Sequence, residues 1–550
     1  MSVSVSPRSG VRASGMPTFA RSPAIWLALL AFVLYLPPAV GVLQLGPDPI
    51  DYLDIARRLS AGQGYLLGVK GFHYGSTQAL HNGLDERPPL YPLFAAAILR
   101  LGLGPYALQL ANALLAAACV ALVYAIGSLL FGRRNGTLAG LLAAVSPAML
   151  IHTILPMAEA LAILLTLLAA WLLVRDLDSP RIGSFAAAGA AIGLCYLTRP
   201  TVASMAGALL VGVVLSSRRK RELGRPLVAF LLGAALFALP ITVYSLLTRG
   251  SVSYLGLGVL YSVFRDSDVG ANATLRPLPT PAQFILANRE FVAAAALSNA
   301  RAYAGLLFLD PKWLLPLLPA WPLALLALVR GRYPRASWPI LLLALGNFLT
   351  YALYWSTFQR RYQLLSLLLL LPFAIDGLSR LGLGRVRLRF SPKLTALHLA
   401  LLVPLVVWSQ TFLQEYSGMF LEAGGGEPVG TRSYQGVRWT GPAYWVDDRD
   451  LSHLLDWIGQ NTERQDVLTH IQPWIFTFFT ERPSTRLPLR LESGQLKPFL
   501  ASYHVAYVLL NSRDASWRRY GDELVALEAE GVQLTPVGNY RVFDTRSLWR

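Results

Sequence analysis

The stretch GPDPIDYLDIARRLSAGQGY, residues 46–65, carries three aspartates, Asp48, Asp51 and Asp54, at three-residue spacing. A carboxylate held within hydrogen-bond reach of a hydroxyl can take its proton, so the run is a candidate for general-base chemistry. The same residues also read as helix punctuation. Asp48 before Pro49 has the form of an N-cap with proline at the first helical position, and Asp51 then falls in the first turn, where a negative charge suits the helix dipole. Gly62 or Gly64 stops the helix. Further charged residues stand at the edges of apolar segments: Arg87 in ERPPLY, Glu159 in LPMAEALAILL, Arg199 in LTRP, and Arg360 with Arg361 in QRRY. A charge near a membrane span is expensive without a partner or a task. For each arginine the plain alternative is snorkelling to solvent, or pairing with Glu159 or Asp48.

Composition sets the class of protein that must position these groups. Of 550 residues 54% are hydrophobic and 14% charged, an apolar share above that of ordinary globular chains, and the chain reads as a multi-span α-helical membrane protein. The formal charge of +17 comes from short arginine clusters between apolar runs, a pattern that fits loops facing anionic lipid and not nucleic acid. Cys119 and Cys195 both lie inside apolar runs, so neither a disulfide framework nor a CxxC metal site can be argued. His73, His81, Asp85 and Glu86 match no standard metal-ligand spacing and read as solvated loop residues. Lys70, among glycines, reads as part of a mobile loop.

Apolar runs of spanning length occur at roughly 24–44, 105–131, 136–151, 155–174, 183–197, 201–215, 226–247, 314–330, 337–355, 363–379 and 394–413, about eleven helices. The first follows Arg8, Arg12 and Arg21 in a Ser-rich tail (1–23) and reads as a retained signal anchor. With the N-terminus cytoplasmic, the inner loops FGRRNG, RDLDSPR, SSRRKRELGR, VRGRYPR and SRLGLGRVRLRFSPK are all basic, as short cytoplasmic loops should be. The outer segments are then 45–104, the turn near His152, LTRP, 248–313, STFQRRY, and the tail from 414 to 550. Asp48, Asp51 and the arginines all fall on this outer side of an inner (plasma) membrane. Within 45–104, ERPPLYPLFAAAILRLGL is too short for a span and reads as a helix in the interface. Tyr254, Tyr261 and Phe264 in the second long loop read as packing or interfacial belt.

The tail is of different material. SHLLDWIGQNT has helical periodicity, DVLTHI and HVAYVLL read as strands, PWIFTFF as a short helix, SWRRYGDELVALEAEG as a helix closed by glycine, and QLTPVGNYRVFD as a closing strand or hairpin. A small extracytoplasmic α/β domain over 414–550 follows, behind a membrane domain over 24–413.

Four segments, in order, resemble the GT-C superfamily of polytopic glycosyltransferases, the group that includes aminoarabinose transferases and protein O-mannosyltransferases. Asp48, Tyr52, Ala56, Leu59, Gly62 and Gly64, followed by Arg87 before Pro-Pro-Leu-Tyr91, are similar to its first outer loop. VSPAMLIHTILPMAEALAILLTLL, with Glu159 at the matching acid, GLCYLTRPTVASMAGALLV with Arg199, and QRRYQLLSLLLLLPFAIDGL with Tyr362 supply the rest. The departure is Pro49, which stands where many relatives carry a second acid, and this leaves Asp48 and Asp51 as alternative catalytic carboxylates.

The resemblance implies transfer of a sugar from a polyprenyl-phosphate carrier to a glycan, lipid or protein acceptor at the outer face, with inversion. It implies Asp48 as the base with Asp51 in reserve, and Arg87, Arg199 and Arg360 or Arg361 on the departing phosphate, since a planar guanidinium binds phosphate oxygens in pairs. Tyr52, Tyr91, Tyr362 and Glu159 would support them. Superfamily members differ in their use of a divalent ion, so a metal stays open as a cofactor. The rival from another class is a transporter or lipid flippase, which would carry charges at mid-membrane, internal repeats or paired broken helices.

Overall fold

The structure, a computed structural model, describes residues 22–71, 78–249, 281–354, 358–380, 387–388, 391–395, 405–414, 431–442, 445, 448–488, 491, 494–513 and 515–549. Nearly all of the N-terminal tail, His73, most of the 248–280 stretch with Tyr254, Tyr261 and Phe264, half of the 394–413 run and the LEAGGGEPVG linker lie outside them.

A helical bundle forms one body of the fold. Among the described residues five helices are long and apolar enough to cross a membrane: Pro23–Gly41, Pro105–Phe131, Gly224–Thr248, Arg289–Leu309 and Arg360–Leu378. Shorter apolar helices, Ile182–Tyr196, Val202–Ser216 and Ser337–Leu353 among them, pack between these. The run expected as one span over 136–151 is instead two helices, Arg133–Ala144 and Pro147–Thr153, bent by 55°. Ser146 caps the second through its hydroxyl and Pro147 supplies the first helical residue, a start signal in mid-run. The run 314–330 is broken likewise, into a 3-10 turn Leu315–Ala320 and the helix Trp321–Val329, because Pro316, Pro319 and Pro322 remove the donors a continuous helix needs. Leu90–Arg100 has 11 residues, roughly 16 Å of helix, which is half a bilayer core.

Close packing in the bundle depends on small residues. The Ile182–Tyr196 and Gly224–Arg249 helices approach so nearly that a Cβ on Gly189 would fall 1.9 Å from the Phe230 carbonyl oxygen. Gly193 and Gly233 are similarly blocked by facing backbone, the small-residue interface typical of membrane helices. The leucine-rich helix Leu364–Leu378 is buried along its whole length and packs against Ser337–Tyr354, Arg133–Ala144, Trp321–Val329 and Pro105–Phe131.

The C-terminal segment folds as expected around a mixed six-stranded sheet. Its order is Gln533–Val537, Tyr540–Asp544, Val505–Asn511, Val467–His470, Ser484–Arg486 and Val69–Lys70. Four of these strands lie within the DVLTHI, HVAYVLL and QLTPVGNYRVFD segments. The sixth strand comes from the first long loop: Val69 and Lys70 run parallel to Ser484 and Thr485, and the Ser484 N–H donates to the Gly68 carbonyl at 2.7 Å. A second, three-stranded sheet repeats the device, with Leu43–Gln44 parallel to Trp439–Thr440. Lys70 is therefore buried in a sheet and not in a mobile loop.

A shared apolar core seals the two parts. Leu43, Ile50, Leu53 and Ile55 pack in one cluster with Trp439, Trp445, Leu454 and Trp474. A buried tryptophan removes on the order of 200 Å² from water, worth about 5 kcal/mol at the usual area coefficient before ordering costs. The first loop and the C-terminal domain are thus one folded unit, and the helix Pro47–Ser60 lies at its base.

Candidate active site

Pro47–Ser60 starts two residues earlier than the sequence suggests. Gly46 is the N-cap and Pro47 the first helical residue, so Asp48 is no cap but lies inside the first turn with its side chain projecting outward. Asp51, three residues on, falls on the same face. Arg87 bridges both. Its Nη2 donates to Asp48 Oδ1 at 2.5 Å, and its Nε and Nη2 donate to Asp51 Oδ2 at 3.0 and 2.5 Å. Asp54 has rotated away by a further step of the helix: it pairs with Arg58 at 3.0 Å and accepts the Gly68 N–H at 2.6 Å.

Arg87 is aimed by its backbone. Its N–H bonds the Gly83 carbonyl at 2.8 Å, and three residues later the Leu90 N–H bonds the Leu197 carbonyl at 2.9 Å. That bond brings the ERPPLY and LTRP segments side by side. At the kink between Ile182–Tyr196 and Val202–Ser216 the Arg199 side chain turns to Glu159, to which its Nη2 donates, and its Nη1 donates to the Tyr351 hydroxyl at 3.0 Å. Glu159 opens the helix Glu159–Arg175 and is buried.

Arg361 links the two groups of charges. Its Nη2 donates to Asp48 Oδ2, and its Nε lies 3.2 Å from Glu159 Oε1. It sits in a 3-10 turn, Arg360–Gln363, in which consecutive residues point about 120° apart. Arg360 therefore faces elsewhere: it is 55% exposed and lies 3.7 Å from Asp310. The structure does not bring Arg360 into the cluster. Asn347 fixes the turn from below by donating to the Tyr362 carbonyl at 3.0 Å.

Three guanidinium groups and three carboxylates thus alternate in one network, Asp51–Arg87–Asp48–Arg361–Glu159–Arg199, charges in balance. Aromatic rings frame it. The Tyr362 ring lies 4.9 Å from the Arg199 guanidinium and 5.3 Å from that of Arg361 and stacks on Tyr351 at 4.4 Å. Tyr52 lies 5.4 Å from the Arg87 guanidinium and meets Tyr91 edge-on at 5.1 Å. Tyr91 itself donates to Asn112 at 3.2 Å and reaches none of the charged groups directly.

The two aspartates differ in kind. The Asp48 side chain is 26% exposed and that of Asp51 1%. Burial pushes Asp48 up, but Arg87 and Arg361 outweigh it and hold the carboxyl well below the usual range. At Asp51 burial prevails over Arg87, with Glu86 adding to the upward push. The neighbouring acid Glu86 is itself buried 3.3 Å from His81, so these two are not solvated loop residues. Among the described residues no group of three or more His, Cys, Asp or Glu is arranged to hold a metal.

Beside the network a narrow cleft with about 30 Å³ of free interior enters the bundle. Arg199, Arg361, Glu159 and Tyr351 line its polar end, while Ile163, Val202, Met205 and Leu365 make its inner wall. Tyr351 and, from the C-terminal domain, Trp474 are site residues that sequence reasoning did not pick out. The Trp474 indole donates to Asp51 Oδ1 at 2.8 Å. Both were hidden in apolar runs that read as core.

Residues 86–245 match the family model of dolichyl-phosphate-mannose-protein mannosyltransferase, a span that includes Arg87, Glu159 and Arg199. No curated protein matches the chain. Among solved structures it is similar to ArnT from Cupriavidus metallidurans bound to undecaprenyl phosphate, at 13% identity over 96% of this chain and 98% of that one, TM-score 0.59. It is also similar to the archaeal oligosaccharyltransferase AglB from Archaeoglobus fulgidus in complex with an inhibitory peptide and a dolichol-phosphate, at 13% identity over 96% of this chain and 75% of that one, TM-score 0.55. The chain is thus similar to that family over residues 86–245 and shares its fold, along nearly its whole length, with these two solved structures.

Proposed function

We propose that this protein is a glycosyltransferase of the GT-C superfamily that moves a sugar from a polyprenyl-phosphate carrier to an acceptor hydroxyl or amine at the outer face of the inner (plasma) membrane, with inversion and with Asp48 as base. The observation that carries the reading is the network of three arginines, two of which, Arg199 and Arg361, line a cleft with an apolar inner wall. Guanidinium groups held chiefly by carboxylates are ready to exchange those partners for a phosphate, and an apolar wall suits a lipid tail. The carriers held in the two similar structures named above point the same way.

In the reaction the acceptor heteroatom attacks the anomeric carbon, the bond from that carbon to the phosphate oxygen breaks, and the acceptor proton passes to Asp48. Arg361 and Arg199 neutralise the departing phosphate, which gains charge as the bond breaks. As they turn toward phosphate, Asp48 loses one of its two cationic partners and becomes more basic, at the moment a base is needed. Asp51 is unsuited to that task because both its oxygens are occupied by three N–H donors; it acts as the anchor of Arg87. Arg360 takes no part in this scheme.

The direct test is sugar transfer by purified protein from polyprenyl-phosphate-linked sugars of several classes, read as released carrier phosphate. Asp48→Asn should fold normally and lose roughly 100 to 10,000-fold in turnover; undiminished turnover removes Asp48 from the mechanism. EDTA in the same assay reads out any need for a divalent ion. Sidedness is tested by labelling cysteines placed at positions 48 and 199 from outside intact cells, and protection there overturns the assignment to the outer face.

A further inference from the structure

Trp474 opens the short helix Trp474–Thr480 of the C-terminal domain, which lies directly against Pro47–Ser60. It is almost fully buried and closely packed: a Cβ on Gly71 would stand 2.7 Å from its ring, so the chain just after Val69–Lys70 passes tightly against one edge. Its N–H donates to Asp51 Oδ1 at 2.8 Å while Asp51 Oδ2 takes both bonds from Arg87. One turn along, Arg57 donates to the Phe478 carbonyl at 2.7 Å and lies over the Phe478 ring at 4.2 Å. The two helices are therefore pinned at two points, and one pin is a member of the charged network. The indoles of Trp408 and Trp549 give their N–H to backbone carbonyls, of Pro311 and Val505, whereas that of Trp474 is given to a carboxylate of the network.

We propose that Trp474 is a positioning residue: its indole N–H orients the Asp51 carboxylate, which in turn holds Arg87 in place, so that docking of the C-terminal domain and assembly of the site are a single event. The function of that site rests on the reading above, but the chain Trp474–Asp51–Arg87 can be tested without any sugar donor. The charged groups facing Asp51 are Arg87, Glu86 and Asp48, with His81 behind Glu86 and Asp54 and Arg58 paired with each other further along its own helix. A donor on Oδ1 favours the ionised form, so its loss must move the Asp51 titration to higher pH.

The experiment is an infrared titration of buried carboxyl groups in the full-length protein in lipid nanodiscs. Asp51→Asn should delete one transition, which identifies it. Trp474→Phe should move that same transition upward by about one pH unit, the size of a single charge-assisted hydrogen bond, and Phe476→Leu, an equally buried change on the same helix, should leave it in place. A transition that does not move in Trp474→Phe, that moves as far in Phe476→Leu, or that Asp51→Asn fails to delete overturns the proposal. If Trp474→Phe does not fold, β-(3-benzothienyl)alanine at position 474 keeps the bicyclic shape and removes only the N–H. Because no substrate enters this titration, a failure to find the sugar donor does not alter its outcome. In transfer assays the same variant should lower kcat more than it raises the donor KM.

Discussion

Glu159 Oε1 lies 3.2 Å from Arg361 Nε and also accepts from Arg199, so one carboxylate from the start of a helix holds two guanidinium groups from two separate segments. Its second oxygen is buried without a hydrogen-bond partner. In the proposed mechanism Glu159 occupies the place that a phosphate oxygen would take, and in the resting protein it keeps two like charges together.

The first prediction follows from that substitution of one anion for another. Glu159→Gln leaves Arg199 and Arg361 with less countercharge, and breaking a buried pair costs about 3–5 kcal/mol, so thermal unfolding in detergent should occur at lower temperature. A polyprenyl phosphate returns the missing charge, and binding to the native state alone raises stability. The midpoint should then rise further on adding the lipid phosphate to Glu159→Gln than to the wild type. Equal shifts in the two proteins would mean that Glu159 and phosphate do not compete.

Arg360 and Arg361 are adjacent and chemically identical, yet only Arg361 joins the network. Arg361→Ala should lower kcat/KM by roughly 100 to 1,000-fold, the usual loss for one charge-stabilising donor. Arg360→Ala removes an exposed pair worth at most ~1 kcal/mol, and its kcat/KM should stay within about fivefold of wild type. Parallel kinetics on the two variants decide the point, and equal losses would reverse the assignment.

Asp48 supplies a pH signature. Burial pushes its carboxyl up, and Arg87 with Arg361 bring it below its ordinary range. A depressed native value means that the pairing contributes stability above the unfolded carboxyl pKa of about 3.9 and loses it as pH falls below that. The acid limb of kcat/KM, which reports the free enzyme, should accordingly lie below the range of an ordinary aspartate. In Arg361→Gln the burial influence meets less opposition and the limb should move to higher pH. A pH–rate series on the two proteins with a saturable donor measures it, and coincident limbs would separate Asp48 from Arg361.

Part of this site was readable in the linear chain and part was not, for identifiable reasons. Asp48, Arg87, Glu159 and Arg199 announce themselves because a charge at the edge of an apolar run is rare and costly, and all four belong to the network. The choice between Arg360 and Arg361 depends on the phase of a four-residue 3-10 turn, which no periodicity can fix. Trp474 stands in PWIFTFF, where an indole looks like any other core side chain until its N–H is traced. Two-residue strands such as Val69–Lys70 are shorter than any alternation pattern, so the sharing of sheets between the first loop and the tail left no signal. The break at Ser146–Pro147 did leave one, an N-cap before proline, but the hydropathy of the run outweighed it.

That shared sheet gives the last prediction. Ser484 lies between two neighbours, pairing with Leu468 on one side and Val69 on the other, and its N–H is the donor that reaches the Gly68 carbonyl. Proline at an interior strand position removes the donor and its ring disturbs the adjoining strand. Ser484→Pro should therefore detach the first loop from the C-terminal sheet while leaving the bundle of spans folded. Limited proteolysis should then cut within residues 61–78 at protease levels that spare the wild type, and transfer should fall because the helix that carries Asp48 and Asp51 is no longer held against Trp474. Thr469, one strand further in, offers the comparison: its hydroxyl donates to the Thr485 carbonyl at 2.9 Å, and Thr469→Val should lower stability by about 1–3 kcal/mol without opening the loop to protease. Cleavage in both variants would mean that the loop responds to general loosening of the domain. Cleavage in Ser484→Pro alone ties it to the pairing of Val69–Lys70 with Ser484–Thr485.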